Sequence, residues 1–135
     1  MIDFLATTFY NEEKNISLAR NLALAFLSNH DFRDSNKINE IKSVVAEMVS
    51  NAVNHAYDEK EQTINLSFYL FDETLEIIVT DHGKGIKDIE KATDPMYSTK
   101  EGHTGLGFTI VEVFSDSYSI ESEEGRTRVK AVFKI

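Results

Sequence analysis

An amphipathic pattern between Ile41 and Tyr57 is the feature that most constrains the fold of this chain. Apolar residues recur there at steps of three and four, which predicts a helix with one apolar face about 100° wide or more. The members of this face are Ile41, Val45, Met48, Ala52 and Ala56. Because such a face has to pack against a core, we expect this helix at the centre of a globular domain.

Three polar side chains follow the edge of this face at intervals of four residues: Glu47, Asn51 and His55. Residues four apart lie on one side of a helix, so a carboxylate, an amide and an imidazole stand in line. Such a row can supply a proton acceptor, a neutral oxygen ligand for a hard cation and a polar wall. Polar residues at a helix border are often only solvated, however, and two further stretches are needed to make this row a candidate site.

Two alternating stretches after the helix predict a β-hairpin with one face on the core. The apolar residues are Ile64, Leu66, Phe68 and Leu70 in the first strand and Leu75, Ile77 and Val79 in the second. Two residues further on, Asp81 falls on the same core-facing side. An ionised carboxylate is costly there unless a donor pairs with it, so Asp81 is predicted to form the floor of a pocket for a neutral donor such as an exocyclic amine.

Glycines mark the other two stretches. Gly83 and Gly85 follow Asp81 and permit close approach of the backbone to a ligand. Gly105 and Gly107 open a segment in which Leu106, Ile110, Val113 and Phe114 have helical spacing. A glycine-rich loop that leads into a helix N-terminus favours phosphate, because free N–H groups and the helix dipole point at it. The stretch before it, from residue 93 to 104, is predicted to act as a lid.

The N-terminal residues, from Ile2 to Tyr10, predict a strand with apolar groups on both faces. This pattern favours an edge strand that is covered either by a second subunit or by a loop. Asn11 is expected to cap the following helix, whose apolar stripe is Ile16, Ala19, Ala23, Phe26 and Leu27. Arg20 lies near this stripe and is either a partner contact or a solvated charge. Asp34 or Ser35 is expected to cap the central helix, a short helix is expected over 86–92, and 118–122 with 127–135 predict a closing hairpin.

The composition fits one cytoplasmic domain over residues 1–135, with 41% hydrophobic residues. The net charge of -9, from 23 acidic and 14 basic residues, argues against direct binding of nucleic acid and is compatible with a basic protein partner. Cysteine is absent from the sequence, which excludes disulfides and thiolate metal sites. No signal peptide or apolar run of membrane-spanning length is recognisable, so we expect no membrane attachment.

The polar and glycine motifs resemble the nucleotide-binding boxes of the GHKL ATPase superfamily, which includes gyrase and the histidine kinases. The matching motifs are Glu47-x-x-x-Asn51, Asp81-x-Gly83-x-Gly85-Ile86 and Gly105-x-Gly107, in that order and with the family's spacing. The stretches EIKSVVAEMVSNAVNHAY, DHGKGI, YSTK and GLGFTIVEVFSD are closer still to the bacterial anti-sigma factor serine kinases, in particular those of sporulation. The resemblance covers nearly the whole chain, whereas the patterns of P-loop enzymes and protein kinases are missing.

The resemblance implies an α/β two-layer sandwich of the Bergerat type, with helices on one face of a mixed, largely antiparallel sheet and ATP between the central helix and the lid. It implies that Asn51 binds Mg²⁺, that Glu47 accepts the proton of the attacking hydroxyl, and that Asp81 receives the adenine amine. The other nucleotide-binding residues that it implies are Gly83, Gly85, Ile86, Lys100, Thr104, Gly105, Leu106, Gly107 and Thr127.

Two positions depart from the family pattern. The part of the lid from Thr99 to Gly107 is about two residues shorter than expected. It also lacks the arginine that relatives place near the γ-phosphate, so Lys100 or His103 is expected to replace it. Lys100 is the better candidate because it is charged at pH 7. The other departure is Arg126, which precedes Thr127 where the family has a glycine.

The resemblance also implies a function. The chain is expected to hold a sporulation sigma factor while ATP is bound, and to phosphorylate a serine on a small anti-anti-sigma protein. The apolar pattern of the N-terminal strand, separately, favours a homodimer contact through that strand. Two alternatives remain: a non-catalytic module that binds its partner with ATP as a structural ligand, and a detached histidine-kinase-like ATPase module, although no helical phosphoacceptor segment is found. Glu47 separates the first alternative, because a pure binder needs Asn51 and Asp81 but no base.

Overall fold

The computed structural model describes residues 1–56, 62–83 and 106–135, in which three α-helices and a π-helical turn accompany a five-stranded sheet. The strands are β1 (Asp3–Tyr10), β2 (Thr63–Leu70), β3 (Thr74–Asp81), β4 (Ser117–Glu123) and β5 (Arg126–Lys134). The helices are α1 (Lys14–Asn29), α2 (Ser35–Asn51) and α3 (Leu106–Phe114), and the π-helical turn Ala52–Ala56 continues α2. None of the helices in these ranges is long and apolar enough to cross a membrane.

The sheet has the strand order β1-β2-β3-β5-β4, and each of its four ladders is antiparallel. Short turns join β2 to β3 and β4 to β5, as the alternating patterns predicted. Gly125 in the second turn has a φ of 86°, a left-handed conformation that glycine adopts without strain. β1 pairs only with β2 among the described strands, which confirms its prediction as an edge strand.

The core lies between the helices and one face of the sheet, which confirms the two-layer sandwich. Along β2, β3 and β5 every second side chain is buried, including Leu66, Ile77 and Val129. The apolar face predicted for the central helix is also buried: Ile41, Val45 and Met48 lie on α2, and Ala52 lies in the π-helical turn that follows it. α1 contributes Phe26, whose ring stacks on Phe68 of β2 with 5.6 Å between the centroids. The helices therefore cover one face, and the other face of the sheet remains more exposed.

The prediction that Asn11 caps α1 is wrong. α1 begins at Lys14 without a side-chain cap, and its first turn holds no acidic residue. Asn11 instead extends the β1–β2 pairing: its backbone N–H donates to the carbonyl of Gln62, and its side-chain oxygen accepts from the Gln62 N–H at 3.2 Å. For α2 the expected cap is confirmed, because Asp34 accepts a hydrogen bond from the Lys37 N–H at 3.1 Å.

The helical spacing of Leu106, Ile110, Val113 and Phe114 is confirmed by α3, but these four residues do not form its buried side. Val113 is 69% exposed and Phe114 is exposed as well, whereas Phe108 and Val111 are buried. Ile110 packs against the core from a partly buried position. Because apolar residues occur nearly all around this short helix, their spacing alone does not select the buried side.

Two valines on α3 give a matched test of this arrangement. We expect Val111→Ala to lower the free energy of unfolding by about 2 kcal/mol, because it removes fully buried methyl groups and leaves a cavity. Val113→Ala is expected to change it by no more than about 0.5 kcal/mol, since that side chain faces solvent. Urea titrations of the two variants measure this difference, and equal losses would contradict the assignment of the buried face.

Candidate functional site

Glu47 and Asn51 lie one helical turn apart near the end of α2, and both side chains are partly buried. They flank Met48, which points into the core. Burial raises the pKa of the Glu47 carboxyl. A carboxylate whose pKa moves towards neutral is a better proton acceptor at pH 7, so its position suits a general base.

The side chain of Asn51 contains an orphaned polar atom. Its amide nitrogen is buried and has no hydrogen-bond partner among the residues that the structure describes. A buried polar group in this state costs about 1–3 kcal/mol, which a bound ligand would offset. The other end of the same amide is a neutral oxygen of the kind that Mg²⁺ accepts as a ligand. The chemistry at this position thus fits a hydrated metal–phosphate group.

The π-helical turn directly after Asn51 was not predicted. It changes the helical periodicity for Ala52–Ala56, and this turn packs against β3. Single π-helical turns in α-helices occur frequently at functional sites. Here the turn brings the end of α2 onto the strand that carries Asp81. The side chain of His55, the third member of the polar row, lies outside what the structure describes.

Asp81 is the last residue of β3 and is only 5% exposed, on the core-facing side that the alternation predicted. Burial raises the pKa of its carboxyl to about 6, against the opposing effects of a hydrogen bond from the Gly83 N–H and of the nearby His82. That hydrogen bond measures 3.1 Å to Oδ1. Asp81 is therefore a buried acceptor with remaining capacity for a donor from a ligand.

Thr127 lies directly opposite Asp81 in the β3–β5 ladder and is also 5% exposed. Its hydroxyl is 3.0 Å from the hydroxyl of Ser122, the residue that faces it on β4. The structure thus brings Thr127 to the same buried end of the sheet as Asp81. Ser122 was missed, although a hairpin turn at 123–125 would have identified it as the partner of Thr127.

The remaining predicted residues are only partly covered. The α3 helix begins at Leu106, with Gly107 in its first turn, which agrees with the predicted loop-to-helix junction. Arg20 is exposed on α1. The structure does not describe Gly85, Ile86, Lys100, His103, Thr104 and Gly105, or the predicted short helix over 86–92 and the lid.

A cavity of about 220 Å³ lies at the turn that joins β2 to β3, which is the end of the hairpin away from Asp81. Its lining is mainly apolar and includes Phe26, Leu70 and Phe71, and it contains none of the predicted site residues. Asp81 and Thr127 occupy the other ends of their strands. The candidate site is therefore identified by the buried polar side chains of Asp81 and Thr127, and not by the cavity.

The described side chains are arranged as in ATPases of the GHKL type: Glu47 and Asn51 lie in a row on α2, and the buried Asp81 ends β3. The chain belongs to the histidine kinase-like ATPase domain family, whose sequence model matches residues 9–133.

Within this family, the chain is similar to proteins named anti-sigma F factor. The relative from Caldanaerobacter subterraneus subsp. tengcongensis is 37% identical over 120 residues, which cover 87% of this chain and 83% of the relative. The one from Clostridium botulinum strain Eklund 17B is 35% identical over 133 residues, covering 94% of this chain and 92% of the relative.

Solved structures share the fold at lower identity. The RsbU and RsbW domains of Rv1364c from Mycobacterium tuberculosis superpose with a TM-score of 0.73 at 19% identity, over 97% of this chain and 32% of that one. The catalytic domain of histidine kinase ThkA superposes with a TM-score of 0.59 at 20% identity, over 96% of this chain and 95% of that one. At these identities the likeness concerns the fold alone.

Proposed function

We propose that this protein is an anti-sigma factor that sequesters a sporulation sigma factor. We further propose that it uses Mg-ATP to phosphorylate a serine of a small anti-anti-sigma protein and thereby inactivates it. The observation that carries the nucleotide part is the orphaned Asn51 amide, one turn after the partly buried Glu47. The partner part rests on relatives named anti-sigma F factor that match most of the chain.

The proposed chemistry assigns one task to each buried polar group. Asp81 accepts the adenine amine, beside Thr127, and the side-chain oxygen of Asn51 would hold Mg²⁺. Bound Mg²⁺ would supply charge neutralisation for the transferring phosphoryl group. Glu47 accepts the proton of the serine hydroxyl, and its raised pKa suits that task. Outside the described residues, Gly85, Ile86, Thr104 and Gly105 are proposed to hold the nucleotide, and Lys100 to meet the γ-phosphate.

Two exposed surfaces suit the proposed protein contacts. The side chains of Phe4 and Tyr10 on β1, and of Ile2 just before it, are more than half exposed. The Phe4 ring stacks on Tyr69 with 6.2 Å between centroids. We propose that this apolar edge forms a homodimer contact. On α1 the exposed Arg20 lies four residues before the exposed Leu24, so that both share one side of the helix. This pair is the proposed contact for a partner protein.

Mg-ATP is expected to stabilise the folded protein. At a free ATP concentration of about 100 times Kd the gain is roughly 2.7 kcal/mol, which corresponds to several degrees in Tm for a domain of this size. Asn51→Ala should abolish most of the part that depends on magnesium, because the amide oxygen is the proposed ligand. Thermal unfolding with ATP, with and without Mg²⁺, measures both quantities.

Asn39→Ala is the matched control, since Asn39 is an exposed asparagine on the same helix. It should show the full magnesium-dependent shift. If Mg-ATP left the Tm of the parent protein unchanged, the nucleotide proposal would be contradicted. If Asn51→Ala showed the same magnesium-dependent shift in Tm as the parent, other residues would have to bind the metal.

A non-catalytic binding module remains the second candidate. It would use the same Asn51 and Asp81 to hold ATP as a structural ligand. The partly buried Glu47 favours the kinase. Burial raises the pKa of its carboxyl and so disfavours the charged form, and a protein that only binds ATP has no use for such a group at this position.

A further inference from the structure

The proposed function leaves unused the cavity of about 220 Å³ at the turn between β2 and β3. Three phenyl rings line it: Phe26 in the last turn of α1, Phe32 after that helix and Phe71 at the end of β2. Phe32 and Phe71 remain partly exposed. Water therefore meets aromatic surface there, and an inserted apolar group would be favoured because it covers that surface.

The volume of this cavity suits a single side chain. An apolar cavity of about 150 Å³ is enough to hold one benzene molecule, whereas pockets for drug-sized ligands start at about 300 Å³. The 220 Å³ found here lies between these two values. One aromatic ring would therefore fill it.

The polar groups of the cavity add a preference for charge. His30 lines the wall, but its Nε2 atom lies 2.7 Å from Oδ2 of Asp3, and its ring packs edge-to-face on Phe26. Asp72 also lines the cavity, and its exposed carboxylate has no hydrogen-bond or ion-pair partner within the described ranges 1–56, 62–83 and 106–135. Among the described residues, no lysine or arginine lines this cavity. Its mouth thus carries an unmatched negative charge.

We propose that this cavity receives one aromatic side chain of a basic partner protein, next to a lysine or arginine of that partner that pairs with Asp72. Aromatic residues that fill a pocket commonly dominate the binding energy of protein interfaces. The net charge of -9 also attracts a basic partner. The inference does not depend on the proposed nucleotide site, because Asp81 lies at the other end of the hairpin.

A second copy of this chain is a competing occupant, because Ile2 of the proposed homodimer edge also lines the cavity. Charge complementarity disfavours it, since a second copy carries the same net charge of -9. A small aromatic cation such as 2-phenylethylammonium is another competitor, because it offers a ring and a positive charge without a peptide backbone. The experiment separates both from a partner protein.

Capped tripeptides serve as probes in an NMR titration of the isotope-labelled protein. The tripeptide Lys-Phe-Lys supplies ring and charge, Lys-Ala-Lys supplies the charge alone, and Glu-Phe-Glu reverses the charge. We expect Lys-Phe-Lys to shift the amide signals of Phe71 and Asp72. Its Kd should be lower than that of Lys-Ala-Lys by about tenfold or more, because the phenyl ring becomes buried. Glu-Phe-Glu should bind about three- to tenfold more weakly than Lys-Phe-Lys, since repulsion replaces attraction at an exposed carboxylate.

Two variants test the cavity, and each has a matched control. Asp72→Lys should raise the Kd for Lys-Phe-Lys by about three- to tenfold, and Phe71→Ala should raise it by a similar factor through the loss of a wall. Glu124→Lys makes the same change of charge in the turn between β4 and β5, and Phe114→Ala removes an exposed ring from α3. Both controls lie outside the cavity and should bind as the parent does. The Tm of each variant shows whether it is folded, and Asp72→Lys, in an exposed turn, should keep the fold even if Phe71→Ala does not.

Selective binding of Lys-Phe-Lys that Asp72→Lys weakens and Glu124→Lys leaves unchanged supports the proposal. An absence of shifts at Phe71 and Asp72, equal affinity for Lys-Ala-Lys, or equal affinity of the parent and Asp72→Lys overturns it. Tighter binding of 2-phenylethylammonium than of the tripeptide overturns it in favour of a small-molecule site. If the same amide signals shift when the protein alone is concentrated, a second copy fills the cavity and the proposal is also overturned.

Discussion

Glu47→Gln is expected to slow phosphoryl transfer to the anti-anti-sigma protein by about 10² or more, while ATP binding and partner capture persist. Glutamine matches the shape of glutamate but cannot accept a proton from the attacking hydroxyl. The substitution should not destabilise the fold, because burial already disfavours the Glu47 carboxylate. Single-turnover transfer from labelled ATP measures the rate, and a Tm with Mg-ATP reports whether the nucleotide still binds.

Glu40→Gln serves as the control for this experiment. Glu40 lies two turns earlier on α2 and pairs only loosely with Lys37, at 4.0 Å, so its removal should leave the transfer rate unchanged. If Glu47→Gln transferred phosphate at the parent rate, Glu47 would have a structural role and not a catalytic one. If the parent itself binds ATP and partners but transfers no phosphate, the protein is a non-catalytic binding module.

The residues that could be predicted are those whose environment follows from local periodicity. The alternation along β3 predicted that Asp81 faces the core, and the helical spacing predicted that Glu47 and Asn51 border it; both are observed. In each case one buried face fixes the register, because a shift by one residue would expose the whole apolar set. The two parts of the site therefore follow from short-range sequence alone.

The features that escaped prediction depend on contacts between distant segments. Asparagine is a residue type that often caps helices, but the side-chain oxygen of Asn11 accepts a hydrogen bond from the Gln62 N–H at the end of the β1–β2 ladder. On α3, apolar residues surround the helix, and only the packed structure selects Val111 over Val113. The bond between Asn65 and the side chain of His82 requires the register of β2 against β3, in which Asn65 faces Thr80.

Asp81→Asn is expected to have opposite effects on stability and on binding. The pKa of Asp81 rises from 3.8 in its ordinary environment to about 6 in the folded protein. Between these values the folded state binds more protons than the unfolded state, so stability falls as pH rises through this window. Above pH 6 the charged carboxylate lowers the free energy of unfolding by about 3 kcal/mol, taking 1.4 kcal/mol for each pH unit of the shift.

Asparagine has no charge to bury, so at pH 7.5 the ligand-free variant should be more stable than the parent by about 1–3 kcal/mol. Its oxygen can still accept from the Gly83 N–H. The gain should shrink below pH 4, where the parent carboxyl is protonated in both states. Urea titrations at pH 4 and 7.5 measure it, with Asp72→Asn, an exposed residue at the other end of the hairpin, as a control that shows no such difference.

The same substitution should weaken ATP binding by roughly 10- to 100-fold, because a hydrogen bond to a charged acceptor contributes about 1.5–3 kcal/mol. Inosine triphosphate makes no such bond, so its Kd should change little. This pairing of higher stability with lower affinity is the expected signature of a buried carboxylate that is kept for a ligand. If Asp81→Asn destabilised the protein at pH 7.5 and bound ATP as tightly as the parent does, Asp81 would be a structural acceptor, and the adenine amine would have to bind elsewhere.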